Sequence, residues 1–530
     1  MKENYIFPQV FVVVAALLSV ASGGNVLLMH PMYAASHVLA LRTLTKELTT
    51  RGHQVTVVRW RDSHSYSPLD DPNITEYVLA INNTHGNVPH VSQEERGRFI
   101  MPQEQMWSNG LSITSVPVDM FQTISAFCKA LFSQEDLIKT LRAQKFDIAI
   151  IDLIYNECSL ALAHDMGAPY IGYWAFTFTS GEALYTTAYS PPSVVPVILS
   201  HLTTPMGYTS RLINHVMALA GHIVMAVQFA ITGYHIREHL PSSPGPSQLL
   251  WNMSGMLINV HPALETPCLL PPAFLEVGGF HIKERKPLPQ DLEHFLEGSG
   301  EEGTILFSMG FIFNSEVVPK STIEAYMRAF GKLQQKVLMK FDGPVDNVPS
   351  NVKMVQWLPQ QDILGHRRTV LFMTHCGMHG VMEALHYGVP MVGIPIFADQ
   401  KDVLQRLLEK GLAIGLDKTA DSQQIYEAIQ EVLIDNRYKE RVSAFSGILH
   451  HQISSPLNKA VWLVEHIMNT SGADHLKLPV QHLNFVQFYG MDVILLLIVL
   501  SYLLIRYLIP EISKLFIRLI RSNSNKVKVS

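Results

Sequence analysis

The strand-like run TVLFMT ends in His375, Cys376 and Gly377, with Gly380 and Glu383 following at three-residue steps. A second apolar run, VPMVGIPIF, closes on Asp399 and Gln400. A packed core has no use for that polar set. A helix start after a strand presents free N–H groups to an anion such as a diphosphate. Glycines at 377 and 380 let the backbone approach it. His375 can donate to the phosphate, Glu383 can take both hydroxyls of a ribose, and Asp399 and Gln400 can hold the hydroxyls of a sugar. Upstream, Trp357 offers an indole face to a flat base and Gln360 an edge or ribose contact. Taken singly, each residue has a plainer reading as a satisfied loop histidine or a solvated helix carboxylate. The joint spacing is what points to a nucleotide-sugar site.

The elements that must carry these residues alternate along the chain. NVLLMH (25–30) reads as a strand, SHVLALRTLTKELTTRG as an amphipathic helix stopping at Gly52, and QVTVVRW (54–60) as a second strand. FDIAIID (146–152) and APYIGYW (168–174) continue the series. The stretch between 60 and 146 is polar and gives no clear element. Residues 277–303, rich in Gly, Pro and charge, read as a linker. A second series follows: GTILFSMG, KVLMKFD, VKMVQWLP, TVLFMTHCG, VPMVGIPIF and LAIGLD, with helical stretches between. The expectation is α/β architecture, two nucleotide-binding-like domains across a cleft, with ligands at the carboxyl ends of strands. The apolar, irregular stretch 185–235 reads as helices beside an apolar cavity, in contact with a bilayer surface, or as plain core.

Composition narrows the classes. The 530 residues are 48% hydrophobic and 16% charged, with a net charge of −5. That excludes disorder as the main theme and gives no basic footprint for nucleic acid. Cys128, Cys158, Cys268 and Cys376 are widely spaced and form no CxxC, so neither a zinc site nor a disulfide-rich scaffold is expected. One disulfide fits, with its pairing open. The ends set the topology. IFPQVFVVVAALLSVAS followed by Gly23 reads as a secretory signal over residues 1–23. VILLLIVLSYLLIRYLI, extended back to Phe485, is long enough to cross a bilayer as residues 485–509. Lys514, Arg518, Arg521, Lys526 and Lys528 make 510–530 a cytosolic basic tail. Sequons at Asn73, Asn82, Asn252 and Asn469 precede the span and agree with a type I protein.

The segment WLPQQDILGHRRTVLFMTHCGMHGVMEALHYGVPMVGIPIFADQ (357–400) resembles the signature of the UDP-glycosyltransferase family, whose members include glucuronosyl- and glucosyltransferases of the endoplasmic reticulum. The resemblance runs on through SHVLALRTLTKELTTRGHQVTVV, KFDIAIID, LFSMG and the terminal span. It implies the GT-B fold, two Rossmann-like domains facing across a cleft plus a C-terminal transmembrane helix. Residues 24–280 would bind the acceptor and 281–484 the UDP-sugar. It implies a UDP-sugar co-substrate, UDP-glucose or UDP-glucuronic acid, with no further cofactor. Small lipophilic hydroxyl compounds would be acceptors and membrane lipid a partner. A homo-oligomer is compatible with all of this. The dilysine-like KVKVS end implies retention in the endoplasmic reticulum membrane.

The family's catalytic histidine matches His37 and its partner aspartate Asp152. From the residues alone His30 competes with His37. The resemblance also implies a donor-site role for Ser308, Trp357, Gln360, His375, Gly377, His379, Gly380, Glu383, Asp399 and Gln400. Four positions depart from the family pattern: His379 and Val403 where Asn is usual, Met339 for an aromatic, and Phe311 for a hydroxyl residue. His379 and Phe311 recommend a second reading, a membrane-tethered binding protein of the same fold without catalysis. A nicotinamide oxidoreductase is disfavoured because MHPMYAASH after the first strand holds no GxGxxG.

Overall fold

In a computed structural model the described residues are 23–30, 35–60, 69–79, 107, 118–310, 317–478, 480, 483 and 485–527. The expected signal segment (apart from Gly23), Asn82 and Phe311 lie outside them.

The first sheet has seven parallel strands: β1 (Asn25–His30), β2 (Gln54–Trp60), β3 (Ile74–Leu79), β4 (Ile148–Asp152), β5 (Tyr170–Trp174), β6 (Gly255–Ile258) and β7 (Phe274–Glu276). Their spatial order is β3-β2-β1-β4-β5-β6-β7. The chain winds outward from β1 in one direction and from β4 in the other, so the strand order reverses between them. Helix α1 (Ala35–Thr50) follows β1. Val38, Leu41, Leu44 and Leu48 recur at helical spacing and are buried, so one stripe of α1 packs on the sheet. Gly52, at φ 90°, turns the chain into β2.

Helices α2 (Val118–Phe132) and α3 (Glu157–Asp165) are joined by a disulfide between Cys128 and Cys158. The sequence allowed a bridge without naming its ends. Closing a loop of this span restricts the unfolded chain by about 3–4 kcal/mol on the loop-entropy account. Replacing both cysteines by alanine is therefore expected to lower the urea midpoint of the first domain in equilibrium unfolding. An unchanged midpoint would show that the bridge does not restrain the unfolded chain.

The apolar stretch 185–235 resolves mainly into one helix, α4 (Tyr208–His239), of 32 residues.

The second sheet holds β8 (Thr304–Ser308), β9 (Lys336–Lys340), β10 (Val352–Val355), β11 (Thr369–Thr374), β12 (Met391–Gly393) and β13 (Ala413–Gly415). All are parallel, in the order β10-β9-β8-β11-β12-β13. Here the reversal falls between β8 and β11. Two elements differ from the sequence expectation. Residues 277–303 include helix α5 (Gln290–Glu297), whose Leu292 and Leu296 belong to the core beneath the second sheet. Pro289 at its N-cap and the surrounding charges disguise it as linker. Downstream lie α6 (Gln360–Leu364), α7 (Met378–His386), α8 (Gln400–Glu409) and α9 (Pro456–Asn469). Although 281–484 was expected to form the second domain, α9 packs on the first. Its Ala460, Val461, Leu463, Val464 and Ile467 share a core with Val26 and Leu28 of β1. Burial of that stripe against the first sheet's core favours the crossover.

Residues 478–530 form a separate unit. A short helix (Phe485–Phe488) is followed by Gly490 at φ 61°, then α10 (Met491–Leu503), a π turn (Leu504–Leu508) and helix Ile509–Val527. The segment expected to span from 485 is thus continuously helical only from Met491. The run Met491–Arg518 is long and apolar enough to cross a membrane, and its side chains are exposed on all sides. A helix apolar around its whole circumference fits a membrane anchor.

Candidate active site

Both switch points carry the residues singled out by type and spacing. On the first sheet, β1 and β4 lie side by side with Met29 opposite Ile151. Asp152 ends β4 with no exposed surface, and His37 sits in the first turn of α1, 3% exposed. The Nδ1 of His37 lies 2.7 Å from Oδ2 of Asp152. Tyr173 and Phe176 pack edge-on to the imidazole, with centroids 6.1 and 5.6 Å away, and fix its plane. With Nδ1 engaged by the carboxylate, Nε2 is the atom left for a ligand. His30, the competitor, ends β1 and is also buried, but its Nδ1 has no hydrogen-bond partner. Burial pushes its pKa down to about 4, which keeps it neutral at neutral pH.

On the second sheet, Ser308 at the end of β8 is paired with Thr374 at the end of β11. His375 follows immediately and is half-buried, its ring lodged between two glycines. A Cβ on Gly377 would lie 2.5 Å from His375 Nε2, and one on Gly310 would lie 2.9 Å from Cε1. Gly310 also has φ 65°, which disfavours any side chain there. Burial and then Lys340 push His375 down to about 4. Gly377 is the N-cap of α7, so the N–H groups of Met378, His379 and Gly380 stand at its open end. Cys376 and Ala398, just before the helix starts at 377 and 399, hold left-handed backbone at φ 64° and 54°. Such strain is tolerated where it aims a helix end.

Glu383, one turn into α7, accepts from Gln360 Nε2 of α6 at 2.7 Å. Its other oxygen is 3.5 Å from His281 Nε2. Gly380 leaves room for this pairing, since a Cβ there would sit 3.2 Å from Gln360 Nε2. Trp357 is 69% exposed, so its indole face is open. Asp399 and Gln400 are buried at the start of α8. Burial and then Asp402 raise the Asp399 carboxyl to about 7, with Arg406 opposing. The Gln400 carbonyl accepts from the backbone N–H groups of Ile396 and Phe397 at 2.8 and 3.0 Å. It braces the loop, and only its amide nitrogen is left to meet a hydroxyl.

The two halves meet through His379, whose ring centroid lies 6.5 Å from that of His37. Its Nε2 is shielded from solvent with no hydrogen-bond partner. The edge of His281 approaches it at 4.6 Å. Burial, then His281 and His37, hold His379 far below the usual imidazole range. His37 is therefore brought beside the first turn of α7.

Two residues beside these groups were not singled out from the sequence. Lys340 ends β9 and donates to the Gly310 carbonyl at 2.9 Å, bringing a cation beside His375. A lysine at the carboxyl end of a strand was a usable signal. His281 had none, lying in a loop rich in charge. Of the departures, Met339 and Val403 are fully buried in the second domain's cores.

Among the described residues, Glu293, Glu297 and His366 converge closely enough to hold a metal ion. His366 precedes β11, at the end of that strand opposite His375. Glu297 is already paired with Arg367 and Arg368, which satisfies its charge.

The family described as UDP-glucoronosyl and UDP-glucosyl transferase matches residues 25–526. UDP-glucuronosyltransferase 2B9 of Macaca fascicularis is 32% identical over 489 residues, covering 90% of each chain. UDP-glucosyltransferase 2 of Dactylopius coccus is 29% identical over 523 residues, covering 97% of each. Among solved structures, the glycosyltransferase VinC in complex with DTDP aligns with a TM-score of 0.57 at 14% identity, covering 84% of this chain and 100% of that one. The calicheamicin glycosyltransferase CalG4 aligns at 0.53 and 17% identity, covering 85% and 99%. These structures share the GT-B fold with the two parallel sheets described above. With a family match over nearly its whole length and relatives covered along nine-tenths of theirs, the chain belongs to the UDP-glucuronosyl- and UDP-glucosyltransferase family and is a glycosyltransferase that uses UDP-sugar donors.

Proposed function

We propose that the protein transfers glucose or glucuronic acid, with inversion, to a hydroxyl of small lipophilic acceptors. The observation that carries this reading is the buried 2.7 Å contact of His37 with Asp152, facing the open start of α7. An alcohol is a poor nucleophile at neutral pH. His37 Nε2 takes its proton as the oxygen attacks the anomeric carbon. Asp152 holds the tautomer and stabilises the imidazolium. The bond from the anomeric carbon to the diphosphate oxygen breaks on the opposite face, and UDP leaves with the added negative charge. The N–H groups at 378–380, His375 and Lys340 stand ready for that charge before the reaction begins. One displacement turns an α-linked donor into a β-glycoside.

In this reading Trp357 stacks on uracil, Gln360 and Glu383 hold the ribose, Ser308 and His379 line the diphosphate, and Asp399 with the Gln400 amide holds the sugar. The disulfide supports a lumenal, oxidising compartment, because such bridges persist there. The anchor supports a single-pass type I protein of the endoplasmic reticulum membrane. Of the sequons, Asn469 is exposed, and Asn73 and Asn252 are half-buried.

The test is transfer from labelled UDP-glucose and UDP-glucuronic acid to a panel of phenols and sterols in microsomes. A glycoside of either sugar from the wild-type protein is expected. UDP binding without product from any donor would overturn the catalytic reading in favour of a tethered binder. A pH dependence follows from Asp399. Its carboxyl is raised to about 7, so below that pH the free protein holds it protonated, and its power to accept sugar hydroxyls fades. The KM for UDP-sugar is expected to rise as pH falls below about 7, while the inhibition constant of UDP moves much less. Asp399→Asn should flatten that difference. If both constants track pH together in both proteins, Asp399 does not contact the sugar.

A further inference from the structure

The two edges of the first sheet treat their polar atoms differently. At the amino edge, Asn25 donates from its backbone N–H to Asp147 Oδ2 at 2.8 Å and from its side chain to the Lys145 carbonyl at 3.2 Å. His53 Nδ1 accepts there from the Gly24 N–H at 3.0 Å. At the carboxyl edge, which carries Asp152, several buried polar atoms make no hydrogen bond. They are His30 Nδ1 ending β1, the Tyr173 hydroxyl near the end of β5, Asn259 Oδ1 just past β6, and Asn156 Nδ2 and Glu157 Oε2 just past β4. A buried polar group left unbonded is costly, and ligands of open α/β sheets sit at this edge.

The last two atoms belong to neighbours at the start of α3. Asn156 is the N-cap, where an asparagine side chain ordinarily accepts from the helix's free N–H groups, yet it makes no such bond. Tyr155 before it holds left-handed backbone at φ 54°, strain of a kind that collects at binding sites. Helix α4 turns Asn214, Gln228, Thr232 and His235 inward, and Gln228 donates to Glu157 Oε1. That bond fixes the carboxyl and leaves Oε2 over. Burial raises the carboxyl to about 7, so near neutral pH it exists in both forms. A hydroxyl both donates and accepts, so it meets either form of Glu157 and also the Asn156 amide.

We propose that Asn156 and Glu157 dock a second hydroxyl of the acceptor. The preferred substrates are then lipophilic compounds with two hydroxyls, one delivered to His37 and one held here. The inference deepens the proposed reaction and rests on the reading of His37 as its base. Two observations favour the acceptor over the donor sugar. Both residues follow β4 on the sheet that carries Asp152, whereas Ser308, the start of α7 and Asp399 belong to the second domain. The wall beside them is aromatic: Phe229, next to Gln228 on α4, packs edge-on to Tyr185 with centroids 4.8 Å apart. A polar docking point against such a wall suits an apolar body with one further hydroxyl.

The test is transfer by the full chain in detergent, from whichever UDP-sugar it uses, to matched phenols with and without a second hydroxyl. Biphenol beside phenylphenol and dihydroxynaphthalenes beside naphthol are suitable pairs. In at least one pair the dihydroxy member is expected to have a kcat/KM about tenfold higher or more, beyond the statistical advantage of two equivalent sites. Asn156→Ala, which removes an amide nitrogen that has no partner in the free protein, should bring that ratio down to the statistical one. Glu157→Leu should do the same, and Glu157→Gln, which keeps an oxygen, should restore part of the preference. Calorimetric UDP binding reports that each variant is folded. Equal kcat/KM for both members in the wild type, or a preference that survives Asn156→Ala and Glu157→Leu, overturns the docking and leaves the transferase reading standing. So does an equal fall for both members, since the two residues would then act through packing. No glycoside from any acceptor, with UDP still bound, overturns the transferase reading and the docking with it.

Discussion

His37→Gln is expected to lower kcat by about 10²–10⁴-fold with little change in UDP affinity. Glutamine keeps a donor toward Asp152, so the buried carboxylate is not abandoned and the fold is preserved. What it lacks is a nitrogen able to take the acceptor's proton. The loss should fall in kcat, because the histidine stands on the first sheet and, in the proposed reading, the diphosphate contacts lie on the second. Asp152→Asn should produce a comparable loss by a different route, stabilising the wrong tautomer and offering no charge to the imidazolium. Calorimetric UDP binding beside steady-state transfer separates chemistry from binding. A His37→Gln protein that keeps more than about a tenth of wild-type turnover would remove the general base from the mechanism.

Arg406→Met is expected to destabilise the contact between the two domains by about 3–5 kcal/mol. Arg406 of α8 lies 2.9 Å from Glu265, which follows β6 of the first sheet, and both are buried. Asp402, one turn earlier on α8, accepts from the backbone N–H groups of Leu199 and His201 in the first domain. Asp399 belongs to the same group of charges. Taking away the guanidinium leaves the carboxylates facing one another, with Lys410 acting on Glu265 and His201 beside Asp402 as the remaining basic groups.

The pH dependence of that loss has a definite sign. Burial already raises the Glu265 carboxyl above its ordinary value, with Arg406 opposing. Without Arg406 it rises further, so the folded state binds protons more readily than the unfolded one. The destabilisation is then small near pH 4 and grows as pH climbs through the carboxylate range. The double variant Glu265→Gln/Arg406→Met should recover most of the stability, since the unpaired charge is gone. Thermal unfolding of the wild type and the two variants across pH 4.5 to 7.5 (roughly the window set by these groups) measures it. A double variant no better than the single one would mean that Arg406 acts through packing rather than charge.

Much of the site could be read along the chain because its parts are local. The turn at 375–380 and the pair at 399–400 each sit at the end of an apolar run. A strand followed by a helix places such residues at a carboxyl edge whatever the rest of the fold does. The second-domain strands were legible for the same reason. Strands β3, β6 and β7 were not. Ile74–Leu79 carries Thr and Glu on a half-exposed edge, and Gly255–Ile258 and Phe274–Glu276 are too short to show a period. Helix α5 was hidden by flanking proline, glycine and charge.

The sequence by itself determined the family, the α/β alternation in two halves, the strand-to-helix turn at 375–380 and the apolar C-terminal span. Each follows from short-range periodicity or from a contiguous motif. Only the tertiary structure joined His37 to a carboxylate 115 residues away, left His30 Nδ1 without a hydrogen bond and brought His379 opposite His37. It alone spent the Gln400 carbonyl on a loop, recruited Lys340 and His281, carried α9 back to the first sheet and turned the polar face of α4 inward. These depend on strand order and on which surface each element finds to bury. That is settled by the packing of the whole chain, which no local pattern encodes.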